Sequence, residues 1–380
     1  MKKVLFLIHD LGGGGAEKVL VSLVNNMDSS KFDITVIALF GGGVNEQFLA
    51  PHIKYRSIWK KTIPGNSKLM KLLSPEALHR LCVKDHYDIE IAYLEGPSAR
   101  IISGCRDPET KLIAWIHIEQ HTAKNAARAF RSYKESRCCY ARFDQLIGVS
   151  ETVKQDFLNI YPGIENMTVC YNTMEAEKIR LLREEPVDDD LFQADEFKLI
   201  AVGKICRQKG FDRLVRIVKR LREESVPVHL YALGCGPEQQ EIEAYVQKEG
   251  LEAYYSFLGY KTNPYKYIAK CDLFVCASWA EGFSTAAAEA LIVGTPVCTV
   301  EVSGMKEMLG YNNEFGIVTK NDEKALYEGI AELYKQPEKL AFYRKQTSIR
   351  GTIFQTTETV RKVEQLLISI WKQVGNVEIV

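Results

Sequence analysis

Two glutamates stand eight residues apart in the stretch EGFSTAAAEALIVGTPV, which begins at residue 281. Glu281 follows an apolar run and opens a turn, whereas Glu289 lies among alanines and aliphatic residues that predict a buried helix. Burying a carboxylate without a polar partner is costly, so we expect Glu289 to accept hydrogen bonds, for example from the two hydroxyls of a vicinal diol. A capping glutamate with a helix salt bridge is the alternative interpretation.

A second group of residues suits an anionic ligand. The stretch GKICRQKGFDRL, residues 203 to 214, places Lys204, Arg207 and Lys209 in a loop between a predicted strand and a predicted helix. Lys and Arg make charge-assisted hydrogen bonds to phosphate oxygens. The loop is therefore a candidate phosphate site, although a solvated basic loop has the same composition.

Four glycines follow the first predicted strand in the stretch HDLGGGGAE, residues 9 to 17. Glycine lets backbone N–H groups approach a phosphate closely, and the start of a helix adds a favourable partial charge. The spacing is not that of the dinucleotide fingerprint, and no acidic residue closes the second strand, so a nicotinamide enzyme is disfavoured. A flexible tight turn is the alternative.

The stretch WIHIEQH, residues 115 to 121, places His117 and His121 four positions apart with Glu119 between them. This spacing is similar to a metal motif, but H-E-x-x-H requires glutamate where the chain has Ile118. We therefore expect no metal site. His117 ends a predicted strand, where it either faces a ligand or is a core histidine.

The elements that must position these residues alternate between short apolar runs and helical patterns. Uninterrupted apolar strands separated by helices indicate parallel sheets covered on both faces. The predicted strands are 2–8, 32–39, 88–94, 111–117, 144–150, 167–172, 197–203, 228–234, 256–260, 272–278 and 295–300. The predicted helices are 15–27, 125–141, 151–159, 209–224, 237–249, 284–293, 322–335 and 356–373.

The predicted fold class is α/β, with two Rossmann-like, doubly wound parallel-sheet domains that face a central cleft. At roughly 100 to 200 residues per domain, 380 residues fit two domains. We place the first at 1–175, a linker at 176–196 and the second at 197–355, with the final helix, within 356–380, packed back on the first domain. Ligands of such sheets bind beyond the carboxyl ends of the strands, where all four groups above are found.

The bulk composition excludes several classes of protein. The net charge is zero, which argues against a nucleic-acid binder. Ten cysteines are scattered without a C-x-x-C pair, which predicts a reduced, cytoplasmic protein. The first apolar run resembles a signal peptide but is too short, and no apolar run reaches 18 residues, so we expect no membrane span.

Basic residues are concentrated in the first half of the chain. Between Lys54 and Arg142 there are 17 basic and 9 acidic residues, an excess of eight positive charges. Residues 54 to 73 interleave lysines and arginines with apolar residues that include Ile63, Leu69 and Leu72. This pattern favours an anionic membrane surface, and hence a peripheral position on the inner face of the cell membrane. An ordinary solvated helix is the alternative.

The motifs together resemble the retaining glycosyltransferases of the GT-B fold, glycosyltransferase family 4 (group 1). The resemblance covers nearly the whole chain. Its elements occur in family order: the glycine loop, His117, VGKICRQKGFDRL, FLGY, EGFSTAAAEALIVGTPV as the E-x7-E signature, then Ser303-Gly304 with Glu307, and Gly316-Ile317-Val318. The E-x7-E segment followed by G-T-P-V is the most specific of these.

The resemblance implies a role for each matching residue. Lys209 would neutralise a diphosphate, Glu281 would bind the hydroxyls of the donor sugar, and Glu289 would hold a ribose diol. The implied catalytic residues are His117, Lys209 and Glu281. The implied donor-binding residues are Gly13, Gly14, Gly203, Lys204, Lys209, Gly259, Tyr260, Glu281, Phe283, Ser284, Thr285 and Glu289.

Two positions depart from the family pattern. Lys204 stands where the family usually has arginine, so a bidentate grip becomes a point charge. Ser284 stands where the family often has glycine, which predicts a narrower donor pocket.

The implied activity is transfer of a sugar from a nucleotide-diphosphate sugar, with UDP favoured, to a glycan or lipid-linked acceptor in the synthesis of a bacterial surface polysaccharide such as a capsule. No D-x-D motif follows a strand in the usual place, so we expect no metal and no other cofactor. A nucleotide-sugar epimerase and a non-catalytic nucleotide-sugar binding protein are the alternatives.

Overall fold

The computed structural model describes residues 1–61, 68, 70–187, 191–192 and 195–372. The chain divides into two compact units, one formed by Met1–Met174 with Thr356–Val380 and the other by Glu175–Gln355. Each unit is built around one parallel sheet with helices. This confirms the predicted α/β class with two Rossmann-like sheets.

The sheet of the first unit has seven parallel strands in the order β3-β2-β1-β4-β5-β6-β7. The strands are β1 (Lys2–Ile8), β2 (Phe32–Phe40), β3 (Lys54–Trp59), β4 (Ile89–Tyr93), β5 (Lys111–Ile116), β6 (Gln145–Gly148) and β7 (Met167–Val169). Numbered along the whole chain, the helices of this unit are α1 (Gly15–Asn26), α2 (Pro75–Cys82), α3 (Pro97–Ile102), α4 (Ala123–Ala126), α5 (Tyr133–Tyr140), α6 (Glu151–Ile160) and α15 (Thr356–Lys372).

The sheet of the second unit has six parallel strands in the order β10-β9-β8-β11-β12-β13. The strands are β8 (Phe197–Val202), β9 (Val228–Leu233), β10 (Tyr255–Gly259), β11 (Leu273–Cys276), β12 (Val297–Val300) and β13 (Ile317–Thr319). The helices are α7 (Ala176–Leu182), α8 (Phe211–Glu223), α9 (Gln239–Lys248), α10 (Tyr265–Ala269), α11 (Thr285–Val293), α12 (Met305–Leu309), α13 (Glu323–Lys335) and α14 (Pro337–Arg350). Short 3-10 turns occur at Glu46–Phe48, Arg207–Lys209 and Gly351–Phe354.

The central strands are apolar on both faces because helices cover both sides of each sheet. Every residue of β9 and of β11 is buried. Several helices begin at a residue whose side chain caps them: the hydroxyl of Ser150 accepts a hydrogen bond at the start of α6, and Asp322 does the same for α13. These caps place the loops after the strands at defined positions.

The last helix, α15, belongs to the first unit. The Thr356 hydroxyl donates to the Met174 carbonyl at 2.8 Å, and Glu364 accepts a 2.6 Å hydrogen bond from the backbone N–H of Asp28. Farther along the helix, the Lys2 ammonium lies 3.3 Å from the centre of the Trp371 ring. Polar and cation–π contacts therefore hold both ends of this helix.

Part of the range predicted as a linker, 176–196, is folded into the second unit. Helix α7 lies within it, and the carbonyl of Leu182 accepts a 2.8 Å hydrogen bond from Asn263. Arg183 donates to the Val293 carbonyl at 2.7 Å, and the ring of Phe192 packs on Tyr231. The acidic composition of this range did not indicate the hydrogen bonds and the ring contact that fix it.

The segment predicted to be a basic membrane-facing stretch begins as an edge strand, β3. Lys54 pairs with Asp33 at 2.6 Å, and the Trp59 ring stacks on Phe40 at 5.4 Å. Lysine and arginine are common on edge strands, which are paired on one side only. Ile63 and Leu69 of the predicted stretch lie outside the described residues.

Two further predictions concern the whole chain: that it has no membrane-spanning segment and that its cysteines are reduced. Among the helices of the described residues, none combines the length and the apolar character needed to cross a membrane. All ten cysteines lie in the described part of the chain, and each is a free thiol.

Candidate functional site

The strand order of the second sheet reverses between β8 and β11. From β8 the chain proceeds to β9 and β10 on one side, and it then returns to β11 on the other side. In open α/β sheets, the crevice outside the carboxyl ends of the two strands at such a point binds ligands. Lys209 follows β8 and Glu281 follows β11, so the two predicted residues meet at this point.

An ion pair joins the two loops. The Lys209 Nζ atom lies 2.6 Å from Oε1 and 2.8 Å from Oε2 of Glu281. The Ser278 hydroxyl donates to the same Oε1 atom at 2.7 Å. The Glu281 side chain is only 9% exposed, whereas that of Lys209 is 29% exposed. The carboxylate is thus held from two sides while part of the ammonium remains open to solvent.

The Lys209 side chain is held in its positively charged form. Burial disfavours the ammonium, but the nearby Glu281 carboxylate outweighs this effect, and the net result is a raised pKa for Lys209. The group is therefore a cation at every physiological pH. It can attract an anionic group while the Glu281 oxygens accept hydrogen bonds from hydroxyls.

Backbone hydrogen bonds fasten the Glu281 turn to the loop after β8. The Trp279 N–H donates to the Gln208 carbonyl at 2.7 Å, and the Gln208 side chain donates to the Ala280 carbonyl at 2.9 Å. Gln208 lies next to Lys209, so the two halves of the ion pair are positioned by the same contacts.

A buried arginine supports the same turn from α8. Arg213 is 1% exposed, and its Nη1 atom donates to the Ala277 carbonyl at 3.0 Å and to Oδ1 of Asn321 at 2.8 Å. The Asn321 amide in turn lies 3.4 Å from the carbonyls of Ser278 and Trp279. The Arg213 guanidinium also lies 4.3 Å from the centre of the Trp279 ring. We name Arg213 and Asn321 the turn clamp.

Helix α11 begins beside this turn. Ser284 is buried and caps the helix by accepting a 3.4 Å hydrogen bond from the Ala287 N–H. This cap accounts for serine at a position where the family often has glycine. Thr285 is the first helical residue, and Phe283 is buried just before it. The helix ends at Gly294, whose φ of +95° suits glycine.

Glu289 lies on α11 and is 3% exposed, as its neighbours predicted. The Tyr265 hydroxyl of α10 donates to its Oε1 atom at 3.4 Å. A buried carboxylate with a hydroxyl partner is suited to hold further hydroxyl groups.

The remaining predicted residues of this unit lie at the same sheet edge. Gly203 follows β8 directly, and its N–H donates to the Leu233 carbonyl at 2.9 Å. Lys204 is exposed in the following loop. Gly259, at the end of β10, has a φ of +67°, and the Tyr260 side chain after it is 57% exposed. Within the described residues, Lys204 is not seen in an ion pair of the kind that Lys209 forms with Glu281.

The glycine loop belongs to the first unit and follows β1. The Gly12 N–H donates to the Asp10 side chain at 2.8 Å, and Asn45 bonds the Gly12 carbonyl through its amide. Gly13 and Gly14 are exposed, and Gly14 immediately precedes α1 without a side-chain cap. The loop therefore presents backbone rather than side chains.

His117 follows β5 in the first unit and is buried, with 9% exposure. Burial lowers the pKa of this imidazole to about 3, so it is neutral at physiological pH. Its Nε2 atom has no hydrogen-bond partner among the described residues. His117 is therefore suited to act as a neutral hydrogen-bonding group.

Two groups of side chains in the described ranges bring together atoms able to ligate a metal. One consists of His79, Glu90 and Cys105, and the other of Glu119, His121 and Asp156. Neither contains a predicted site residue, and His117 does not join His121. Both Asp156 oxygens already accept backbone N–H groups of the 120–121 turn.

Several residues of the site escaped the sequence analysis. Ser278, Gln208, Arg213 and Asn321 all act on the Glu281 turn, and tertiary packing alone brings them there. Ser278 and Gln208 were within reach of sequence reasoning, because each lies in a loop at the carboxyl end of a predicted strand. Arg213 lies within the predicted helix 209–224, and its sequence neighbours do not indicate that it is buried.

Two family models match the chain. The model described as Glycosyltransferase Family 4 matches residues 13–178, and the model described as Glycosyl transferases group 1 matches residues 183–349. A relative from Campylobacter jejuni, named N-acetylgalactosamine-N,N'-diacetylbacillosaminyl-diphospho-undecaprenol 4-alpha-N-acetylgalactosaminyltransferase, is 26% identical over 97% of this chain and 100% of its own length.

Solved structures with the same fold include two bacterial proteins. Anabaena HepE (Alr3699), solved in complex with UDP, has a TM-score of 0.75 and 20% identity, covering 97% of this chain and 100% of its own. A variant of TarM from S. aureus, solved with Fondaparinux, alpha-GlcNAc-glycerol and UDP, has a TM-score of 0.72 and 14% identity, covering 98% and 100%. At these identities the likeness shows the fold alone, and it agrees with the predicted GT-B class.

The matches therefore extend across both units. The chain belongs to the group 1 glycosyltransferases, in glycosyltransferase family 4.

Proposed function

We propose that this glycosyltransferase moves a sugar from a UDP-sugar to a glycan or lipid-linked acceptor, with retention of the anomeric configuration, in the synthesis of a bacterial surface polysaccharide. The observation that carries the proposal is the ion pair between Lys209 and Glu281 at the reversal point of the second sheet. A nucleoside diphosphate and a sugar need a cation and a hydroxyl acceptor side by side, and this pair supplies both.

The buried Glu289 extends the same site to the far end of a nucleotide sugar. Its carboxylate, beside the Tyr265 hydroxyl, is suited to the ribose diol. The exposed Tyr260 and the turn at Gly259 border the place where we put the base. Phe283, Ser284 and Thr285 would line the sugar and the diphosphate at the start of α11, where backbone N–H groups favour anions.

The nucleotide and the acceptor class are supported by related proteins. The Campylobacter jejuni relative is named for an acceptor linked to undecaprenol diphosphate, and its similarity spans 97% of this chain. HepE and the TarM variant, which share the fold, were solved with UDP. We accordingly favour UDP as the nucleotide and a lipid-linked glycan as the acceptor, bound by the first unit.

The proposed chemistry is mainly electrostatic. Glycosyl transfer passes through an oxocarbenium-like state while negative charge grows on the departing diphosphate. Lys209, Lys204 and the start of α11 stabilise this charge, as preorganised dipoles and cations do in other enzymes. His117, a neutral imidazole, would hydrogen-bond the transferred sugar. Retention is proposed from family resemblance.

We further propose that the reaction needs no metal ion. Lys209 stands where a divalent cation would otherwise neutralise the diphosphate, and its raised pKa keeps it charged. Activity should then persist in excess EDTA. Loss of activity in EDTA, restored by Mg²⁺ or Mn²⁺, would overturn this part of the proposal.

We propose an anionic membrane surface as a partner of the first unit. Leu72 is 77% exposed and Leu73 is 42% exposed, beside Lys68 and Lys71. Arg100 and Arg131 hold the backbone carbonyls of Leu73 and Leu72 at 2.7 and 2.9 Å, so this short segment is fixed rather than free to withdraw its side chains. Apolar insertion next to lysines is the usual pattern of peripheral binding.

Vesicle sedimentation tests the membrane partner. We expect binding to vesicles containing anionic phospholipid, release by high salt, and loss of binding in Leu72→Asp. The matched control is Leu181→Asp, because Leu181 is 75% exposed on α7 of the second unit. Equal loss in both variants, or attachment that ignores salt, would contradict the proposed surface.

The central experiment is a thermal-shift panel of nucleotides followed by a transfer assay. A ligand at 100 times its Kd should stabilise the protein by about 2.7 kcal/mol. We expect a shift with UDP that is insensitive to chelator and lost in Glu289→Ala, and UDP release that depends on added acceptor. No shift with any nucleotide, or isomerisation without transfer, would reject the proposal.

A further inference from the structure

The strand order of the first sheet reverses between β1 and β4, just as that of the second sheet reverses between β8 and β11. In the second sheet, the two loops at this point carry Lys209 and Glu281. In the first sheet, the loop after β1 is the glycine loop, and the loop after β4 is Leu94-Glu95-Gly96. Glu95 thus occupies the position in the first sheet where α/β proteins place ligand-binding groups.

The turn that carries Glu95 has an unusual backbone. Leu94 has a φ of +138°, a region that residues with side chains rarely adopt, and Gly96 has a φ of +80°. Such strained positions persist where surrounding contacts enforce them, and they cluster at functional sites. A 2.9 Å hydrogen bond from the His117 N–H to Oε2 of Glu95 ties this turn, at the end of β4, to the end of β5.

Buried polar groups without partners lie around His117, whose backbone N–H binds Glu95. The Tyr93 hydroxyl, the Trp115 Nε1 atom and the His117 Nε2 atom are all buried and have no hydrogen-bond partner within the described part of the chain. Their rings are in contact, with centroids 4.6 Å apart for Tyr93 and His117. Unpaired buried polar atoms are rare in proteins and mark places where a ligand or a water completes the bonding.

Burial raises the pKa of the Glu95 carboxyl, and the hydrogen bond from the His117 N–H only partly opposes this rise. The Glu95 oxygens can accept a hydrogen bond from a sugar hydroxyl, whereas the side chain offers no positive charge to a phosphate.

We propose that Glu95 binds a hydroxyl group of the acceptor sugar at the carboxyl edge of the first sheet, with His117 beside it. The proposal rests on the proposed glycosyl transfer and deepens it, because it assigns the sugar end of a lipid-linked acceptor, and not its diphosphate, to this turn. Glu95 is then a residue that determines acceptor binding, separate from the donor residues of the second unit.

The test uses Glu95→Gln and Glu95→Asp in the full-length protein. Glutamine keeps the shape and can still accept the His117 N–H, whereas aspartate keeps the charge but retracts it by one methylene. Donors are UDP-glucose, UDP-galactose and their N-acetylated forms, and acceptors are octyl glycosides. Kinetics are measured for the wild-type pair with the highest turnover, together with the slow hydrolysis of the donor without acceptor.

We expect the acceptor KM to rise 10- to 100-fold in both variants, while the donor KM and the donor hydrolysis rate stay within about twofold. Glu109→Gln is the matched control, because Glu109 is exposed in the loop before β5, at the opposite edge of the same sheet, and its kinetics should match the wild type. If the melting temperature of Glu95→Gln is far below that of the wild type, the acceptor KM of Glu95→Asp decides whether Glu95 binds the acceptor.

Two results would overturn the inference in different ways. An acceptor KM within twofold of the wild type in the folded variants, or an equal rise in the donor KM, rejects the role of Glu95 and leaves the proposed function intact. A wild-type protein that transfers sugar to no acceptor in the panel rejects the proposed function and this inference with it.

Discussion

The Nζ atom of Lys209 lies within 2.8 Å of both carboxylate oxygens of Glu281. The pair joins the loop after β8 to the loop after β11, at the point where the strand order reverses. Because Glu281 is nearly buried, its carboxylate depends on Lys209 and on the Ser278 hydroxyl for compensation. In the proposed mechanism, a diphosphate that binds Lys209 competes with Glu281 for the ammonium. This competition would couple donor binding to the position of the carboxylate that we propose binds the sugar.

Replacing Lys209 by alanine should lower turnover by on the order of 10² to 10³, comparable to the loss of one oxyanion donor. The measurement is kcat from UDP release with saturating acceptor. Lys219→Ala is the control, because Lys219 pairs with Glu249 on the outer side of α8 and its loss should leave turnover unchanged. Near-normal turnover in Lys209→Ala would remove this residue from the mechanism.

The stability of these variants separates structure from chemistry. Lys209→Ala leaves the Glu281 carboxylate without its cation, so the melting temperature should fall. The double variant Lys209→Ala with Glu281→Gln removes the unpaired charge and should recover most of that loss. Turnover should stay low in the double variant, because the cation for the diphosphate is still absent.

The turn clamp should affect catalysis without touching the substrate. Arg213→Ala removes the support of the Ala277 carbonyl, so we expect kcat to fall about tenfold, equivalent to about 1.4 kcal/mol. Asn321→Ala should act in the same direction. Arg213→Lys should rescue little, because one ammonium cannot reproduce the guanidinium contacts with both Ala277 and Asn321.

Arg220→Ala is the control for the clamp. Arg220 lies on α8, the same helix as Arg213. Its guanidinium carbon lies 3.7 Å from the centre of the Tyr327 ring, and Tyr327 does not belong to the Glu281 turn. Its kcat should match that of the wild type. If Arg213→Ala and Arg220→Ala change kcat and the melting temperature to the same extent, Arg213 has a purely structural role.

Sequence reasoning located Lys209, Glu281 and Glu289 because each stands out from its neighbours. The two loop residues follow predicted strands, and a carboxylate among alanines is conspicuous. The contact between Lys209 and Glu281 could not be predicted, since it depends on β8 and β11 being neighbours although β9 and β10 intervene in the chain. The clamp residue Arg213 was equally hidden, because its burial arises from packing rather than from composition.

The edges of the sheets were harder to predict than their centres. Strand β3 contains Lys54 and Arg56, and none of its residues is buried, so it lacks the apolar run that marked β1 and β2. Strand β13 has only three residues, too few to show a pattern. Edge strands are paired on one side only, and their sequences are correspondingly less apolar.

Glycine at position 234 should be essential for the fold of the second unit. Gly234 has a φ of +131°, and a Cβ atom there would overlap the backbone carbonyl of Gly203. Gly250→Ala is the matched control, because Gly250 has a φ of +65° with open space around it and should cost only about 1 to 2 kcal/mol. We expect Gly234→Ala to cost at least about 2 kcal/mol more by urea unfolding. If the two substitutions lower the free energy of unfolding equally, the loops after β8 and β9 can move apart to make room for the added Cβ atom.

A buried charge pair in the first unit should make stability depend on pH. The His79 Nε2 atom lies 2.8 Å from Oε2 of Glu90, which is 3% exposed, and Cys105 completes the group. Burial disfavours the imidazolium, but Cys105 and Glu90 outweigh it and raise the pKa of His79 from 6.5 to about 9. The folded protein therefore holds a proton that the unfolded chain releases near pH 6.5.

The resulting stabilisation is fully present below about pH 6.5 and is lost as the pH rises through about 9. Its size is on the order of 1 to 3 kcal/mol. We would measure the free energy of unfolding in urea from pH 6 to pH 9, with a thiol reductant, for the wild type and for His79→Gln with Glu90→Gln. The difference between the two proteins should shrink with rising pH, because the double variant has neither titrating group. A difference that stays constant from pH 6 to pH 9 would show that His79 is neutral in the folded protein.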